Sequence, residues 1–181
     1  MARKYRVVYP YKDLRAGDMV CCDVRGIFPV ITRIVTGGWR NAFNHDWSTH
    51  TGMLVQMGGQ LFIQEMAGRG VEINSLEVEY QRWDGRVICF RRMVGIDDAK
   101  RAVLEQRLGE LVRRGEEYDY KGVLAYVFDR VKENPKRNYC SKMIYAVSRD
   151  LVTPLYAGAL ADKPSPQAMM VAPQWETVWH R

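Results

Sequence analysis

The stretch STHTGMLVQMGGQLFIQEMA, residues 48–67, constrains this chain more than any other. Apolar runs flank Met57-Gly58-Gly59 on both sides, and adjacent glycines supply the positive φ that a tight hairpin turn requires. The segment predicts two antiparallel strands. With Met57-Gly58 at the tip, His50 faces Glu65 directly; with Gly58-Gly59 at the tip, Glu65 faces Gly52 and lies diagonal to His50. The two registers differ by an even step, so in either one His50 and Glu65 leave the same face. An imidazole and a carboxylate so placed are either a cross-strand charge pair on a solvated face or two parts of a site.

Around the hairpin the pattern is mixed. AGDMVCCDV, GVEINSL and GRVICFRRM read as strands, with an irregular stretch after GVEINSL, and QWETVWH as a terminal strand. PVITRIV reads as a short helix with Pro29 near its first turn, closed by Gly37-Gly38, and WRNAFNHDW as a polar, aromatic loop. DDAKRAVLEQRLGELVRRG predicts a helix capped by Asp97 or Asp98 and ended by Gly115. Its apolar face would be Ala99, Ala102, Val103, Leu108, Leu111 and Val112. YKGVLAYVFDRVK predicts another, stopped by Asn134-Pro135, and Ser165-Pro166 opens a short turn late in the chain. Together these predict an α+β fold, a mostly antiparallel sheet with helices packed on one side, spanning residues 1–181 as a single domain.

Composition narrows the class. The chain has 181 residues, 47% apolar and 27% charged, as in a soluble globular protein with a substantial core. No apolar run approaches the ~20 residues that span a bilayer. The basic N-terminus lacks the apolar stretch and cleavage site of a secretory signal, so the cytoplasm is the default location. A net charge of +6 favours anionic partners, but the cations are dispersed and form no nucleic-acid motif. The four cysteines show no paired spacing. Cys21 and Cys22 fall on opposite faces of one strand, which suits reduced thiols better than a bridge. Cys21 or Cys22 with His45 and His50 matches no familiar zinc spacing.

The remaining thiol stands apart. From Cys140, apolar residues recur at Met143, Ile144, Val147 and Leu151, the stripe of a helix that buries one face. Asn138 stands just before it as a candidate N-cap. A thiol at a helix N-terminus feels unpaired N–H groups and the positive end of the dipole, which favour thiolate; the bland alternative is a small buried hydrophobe. A nucleophilic cysteine also needs a base. Of the three histidines, His180 is next to the C-terminus, His45 lies in the polar loop, and His50 opens a rigid strand beside Gly52.

The order of Gly17-Asp18, then His50 to Gly52, QEMAGRGV around Glu65, EEYDY, YCS and SPQAMM resembles the circularly permuted papain-like superfamily. Those proteins are related to the NlpC-type peptidases, and the YiiX/YebB-like subgroup is the nearest in pattern. The resemblance implies an antiparallel sheet or half-barrel with the nucleophile at a helix N-terminus. It implies Cys140 as nucleophile, His50 as general base, Glu65 orienting the imidazole, and Tyr118 assisting the oxyanion. Tyr118 reads equally as a half-buried core tyrosine. Lys142 departs from the Cys-Ser-Glu common in the subgroup, which bears on the inherited substrate class. The function implied is a cysteine peptidase or amidase with no metal or organic cofactor, acting on a peptide or acyl amide. Peptidoglycan peptides lead, and lipid amides or esters follow. A phage-encoded source fits the pattern as well. The rivals are a non-catalytic basic binding module and a virion-associated component.

Overall fold

Six strands hydrogen-bond in the order β4-β3-β2-β1-β5-β6, every neighbouring pair antiparallel, in a computed structural model that describes residues 12–24, 26–83, 86–124, 138–152 and 164–181. The strands are β1 (Met19–Cys22), β2 (His50–Met57), β3 (Gln60–Ala67), β4 (Gly70–Ser75), β5 (Val87–Met93) and β6 (Trp175–His180). The C-terminal strand thus closes one edge of a sheet begun by the first half of the chain. The predicted hairpin forms with Gly58 and Gly59 at its tip, at φ 57° and 80°. Of the two open registers this selects the second: Gly52 pairs with Glu65.

Among the described residues the helices are α1 (Ile27–Gly37), α2 (Leu76–Trp83), α3 (Asp98–Arg114), α4 (Tyr120–Leu124), α5 (Cys140–Ser148) and α6 (Pro166–Val171). Alternation along the strands divides the core in two. Met19, Cys21, Met53, Val55 and Met66 pack under α3, α5 and α6 in one cluster. Val20, Cys22, Leu54, Ile63, Val87 and Phe90 form another with Leu76 of α2. Cys21 and Cys22 therefore do point to opposite faces, and all four cysteines are free and buried.

Local signals set the helix ends. Asp97 accepts a hydrogen bond from the Lys100 N–H at 2.8 Å, and Gly115 ends α3 in the left-handed conformation. Ser165 caps α6 by accepting from the Ala168 N–H at 3.0 Å, with Pro166 at its first position. In α5 the stripe Met143, Ile144 and Val147 is almost fully buried. Each such side chain contributes about 1.5–3 kcal/mol.

Three expectations need correction. The stretch after β4 is the helix α2, begun by buried Leu76 and by Glu77 and Glu79, which complement the helix dipole. The buried face of α3 is Leu104, Leu108 and Leu111, whereas Val103 and Val112 are exposed and Ala99 and Ala102 face solvent. The docking of α3 on the sheet, where Gln64 Nε2 donates to the Leu108 carbonyl at 2.8 Å, sets that rotation. The N-cap of α5 is Tyr139, in extended backbone immediately before Cys140, so Asn138 stands one residue too early and its amide donates to Glu116 instead. Of the helix expected over YKGVLAYVFDRVK, residues beyond Leu124 lie outside the described part of the chain.

Candidate active site

The site forms where two strands part. β2 begins at His50 and β3 runs on to Ala67, yet their ladder stops at Gly52 opposite Glu65. Beyond that pair the backbone of Thr51 has no ladder partner on β3. The first residue of α5 fills the fork: Cys140 takes a hydrogen bond from the Thr51 N–H and another from the Ser141 N–H. The body of α5 packs against Met53, Val55 and Met66, the residues that alternate with His50, Gly52 and Glu65. The helix and the His50 face are thus on opposite sides of the sheet, and only the head of the helix, at the fork, meets His50.

His50 and Glu65 share a face, as the hairpin parity required. Their contact, His50 Nε2 to Glu65 Oε2, is 2.5 Å. Glu65 is buried and His50 nearly so. Gly52, opposite Glu65, leaves the diagonal open. The Cys140 thiol hydrogen-bonds the same imidazole. Glu65 occupies Nε2, which leaves Nδ1 as the ring nitrogen for the thiol.

Electrostatics couple the three groups. Burial alone would depress His50, but the charges of Cys140 and Glu65, with their hydrogen bonds, hold it well above the usual imidazole range. Burial would raise the Cys140 thiol, but the His50 charge and hydrogen bond and the two backbone N–H groups bring it below its ordinary value. The two directions agree: each group favours the charged form of the other. Cys22, whose thiol lies 3.6 Å from the His50 carbonyl, is pushed well up by burial and then by Glu65 and Cys140. It stays a neutral thiol.

The segment before α4 is stitched to the head of α5. Tyr118 and Asn138 form a parallel bridge, and the Asp119 N–H donates to the Asn138 carbonyl at 2.8 Å. Lys142 reaches Asp119 at 3.9 Å and lies over the Tyr139 ring at 5.9 Å, so this departure from the subgroup pattern helps tie the helix head down. Tyr118 is half-buried, its ring 4.8 Å from that of Tyr120. Burial first, then the negative charge of Cys140, pushes its hydroxyl well up, which keeps it a neutral donor.

A cleft of about 770 Å³ opens over Cys140, His50 and Glu65. Val24, Pro29, Val123 and Pro166 give it apolar walls, Tyr118, Tyr120 and Tyr139 an aromatic one, and Arg86 a cation. All four residues singled out by the sequence thus line one cavity. The other histidines do not: His45 pairs with Asp23 at 2.8 Å, and exposed His180 lies near the end of β6. The Thr51 amide and Arg86 carried no local signal, since their place depends on a strand fork and on chain packing. Among the described residues no group of three or more His, Cys, Asp or Glu is arranged to hold a metal ion, and no helix is long and apolar enough to cross a membrane.

No protein-family model and no curated protein sequence matches the chain. A solved structure does: the metalloprotein YiiX from Escherichia coli O157:H7 aligns with a TM-score of 0.66 at 19% sequence identity, covering 93% of this chain and 98% of that one. At that identity the likeness reaches the backbone and says nothing of side-chain roles. The chain has the fold of YiiX.

Proposed function

We propose that the protein is a cysteine hydrolase that cleaves an amide through Cys140, His50 and Glu65. One observation carries this reading: a single imidazole hydrogen-bonds a buried carboxylate and a helix-terminal thiol whose proton affinity is lowered. The Cys140 thiolate attacks the acyl carbon. The negative charge passes to the carbonyl oxygen, held by the backbone N–H of Cys140 at the head of α5 and by the Tyr118 hydroxyl. His50 gives its proton to the leaving nitrogen as the C–N bond breaks, and a thioester remains on Cys140. Water, deprotonated by His50, then attacks the thioester, releasing the acid and restoring the thiolate. Glu65 fixes the ring orientation and stabilises its charged form.

A peptidoglycan-type peptide is the leading substrate, consistent with the basic charge of the chain. The apolar and aromatic walls of the cleft favour a second reading, a lipid amide or ester hydrolysed or transferred by the same chemistry. YiiX is described as a metalloprotein. The residues at this site do not fit a metal set: Glu65 and Cys140 are both spent on His50, and among the described residues no group of three or more His, Cys, Asp or Glu is arranged to hold a metal ion.

The test is hydrolysis of a panel of amides and esters by the wild type, Cys140→Ala, His50→Ala, Glu65→Gln and the Cys140→Ala/His50→Ala pair, with melting temperatures. Both alanine variants should lose turnover and keep their fold, and Glu65→Gln should lose less. The pair should be little worse than Cys140→Ala, because groups that act together are not additive. Full activity in Cys140→Ala would refute Cys140 as the nucleophile, and no turnover of any panel member by the wild type would favour a binding or virion-associated module.

A further inference from the structure

Beside the cleft lies a second cavity of about 250 Å³, lined by Val24, Gly26, Val30, Arg33, Phe43, His45 and Arg86. Val24 and Arg86 line both cavities, so the two adjoin. The chemistry of the second is different. Arg33 forms its floor, only 4% exposed, with Nη1 donating to the Ala42 carbonyl at 3.0 Å and Nη2 paired with Asp23. Its Nε–H is buried with no acceptor among the described residues. A buried N–H without an acceptor is costly, so this guanidinium keeps hydrogen-bonding capacity that the fold does not use.

The charges around it do not cancel. Among the described residues Asp23 is the one carboxylate of the cluster, and both its oxygens are committed, Oδ1 to Arg33 and Oδ2 to His45 Nδ1. Against it stand two guanidinium groups, Arg33 and Arg86, and an imidazole whose Nε2 has no hydrogen bond among the described residues. The His45 loop is held in place, since Arg181 donates to the His45 carbonyl at 3.2 Å and to Asp46 at 2.8 Å. The result is a recess lined by two guanidinium groups and walled by Val24, Val30 and exposed Phe43.

We propose that this second cavity binds an anionic group, a carboxylate or a phosphate, of the compound whose acyl bond lies over Cys140. As a subsite it rests on the hydrolase reading; as an anion site it does not. Planar guanidinium groups suit either oxyanion, and Arg86 spans the passage from the anion to the reacting bond.

The test keeps the two readings apart. Full-length Cys140→Ala, which lacks the proposed nucleophile, is titrated with sodium phosphate and separately with sodium acetate at constant ionic strength. Amide resonances of residues 41–46 are followed by NMR. Saturable shifts are expected with at least one anion, and the tighter one names the oxyanion class. Arg86→Gln and His45→Gln, each confirmed folded by melting temperature, should bind about 10- to 100-fold more weakly, the loss for one charge-assisted hydrogen bond. No saturable shift with either anion, or unchanged affinity in both variants, overturns the site. A chain that binds the anion but hydrolyses nothing refutes the hydrolase reading alone.

Discussion

Gly52 is where the geometry of the site is most exposed to a small perturbation. It pairs with Val20 on one side and Glu65 on the other, next to the point where β2 and β3 part. A Cβ at this position would lie 2.7 Å from Ile63 Cγ2 and 3.3 Å from both the Gln64 carbonyl oxygen and Val20 Cγ1. Carbon atoms in contact prefer about 3.5–4.0 Å, so the Ile63 methyl must retreat by roughly 1 Å. It has little room. Ile63 and Val20 are fully buried, and β-branched side chains are stiff at χ1. The strain passes to the backbone of β2 and β3, at a cost of about 1–3 kcal/mol for Gly52→Ala. For a chain of this size that lowers the melting temperature by about 2–12 °C. Because Gly52 faces Glu65, the same displacement lengthens the Glu65–His50 contact and should slow alkylation of Cys140. The assay is a double-mutant cycle of Gly52→Ala with Ile63→Ala, read by thermal unfolding and by the iodoacetamide rate. Ile63→Ala removes the clashing methyl, so the pair should cost less than the sum of the singles. An unshifted melting temperature in Gly52→Ala, or additivity within about 0.5 kcal/mol, would refute the close packing.

Other outcomes follow from the same contacts. Cys140 should alkylate fastest of the four thiols, most clearly at about pH 6, where an ordinary thiol is about 0.3% thiolate. Since the Cys140 thiol is lowered and His50 raised, His50→Ala should slow the reaction below the ordinary thiol range and leave it little changed above that range; faster labelling of Cys21 or Cys22 would contradict this. Asp97→Ala should cost about 0.5–2 kcal/mol in urea unfolding, because it orphans the Lys100 N–H at the head of α3. Arg107 holds Asp150 at about 2, below its usual 3.8, so the pair stabilises the fold above that usual value and the benefit fades as pH falls toward about 2. Asp150 is 59% exposed, so the effect is under about 1 kcal/mol and should vanish in Arg107→Gln, measured as the change in urea midpoint between neutral pH and about pH 3.

What the sequence determined by itself was local. The 3.6-residue stripe after Cys140 defined α5 and put the thiol at its head, because that period needs only neighbours within a few turns. Asp97, Gly115 and Ser165 marked helix ends because capping is a contact over three or four residues. Hairpin parity put His50 and Glu65 on one face whichever turn formed. Tertiary structure decided the rest. The choice between the two hairpin registers depends on packing against β1 and β4, and the rotation of α3 on its docking to β3. Asn138 loses the cap because α5 begins one residue later, with Tyr139 at the N-cap, and its amide pairs instead with Glu116, 22 residues away. The fork that admits Cys140 beside Thr51, and the meeting of Asp23, Arg33, His45 and Arg86 in one recess, join elements that no local period relates. Such contacts form only when the chain has closed its long loops, and their energies depend on burial that a linear sequence does not contain.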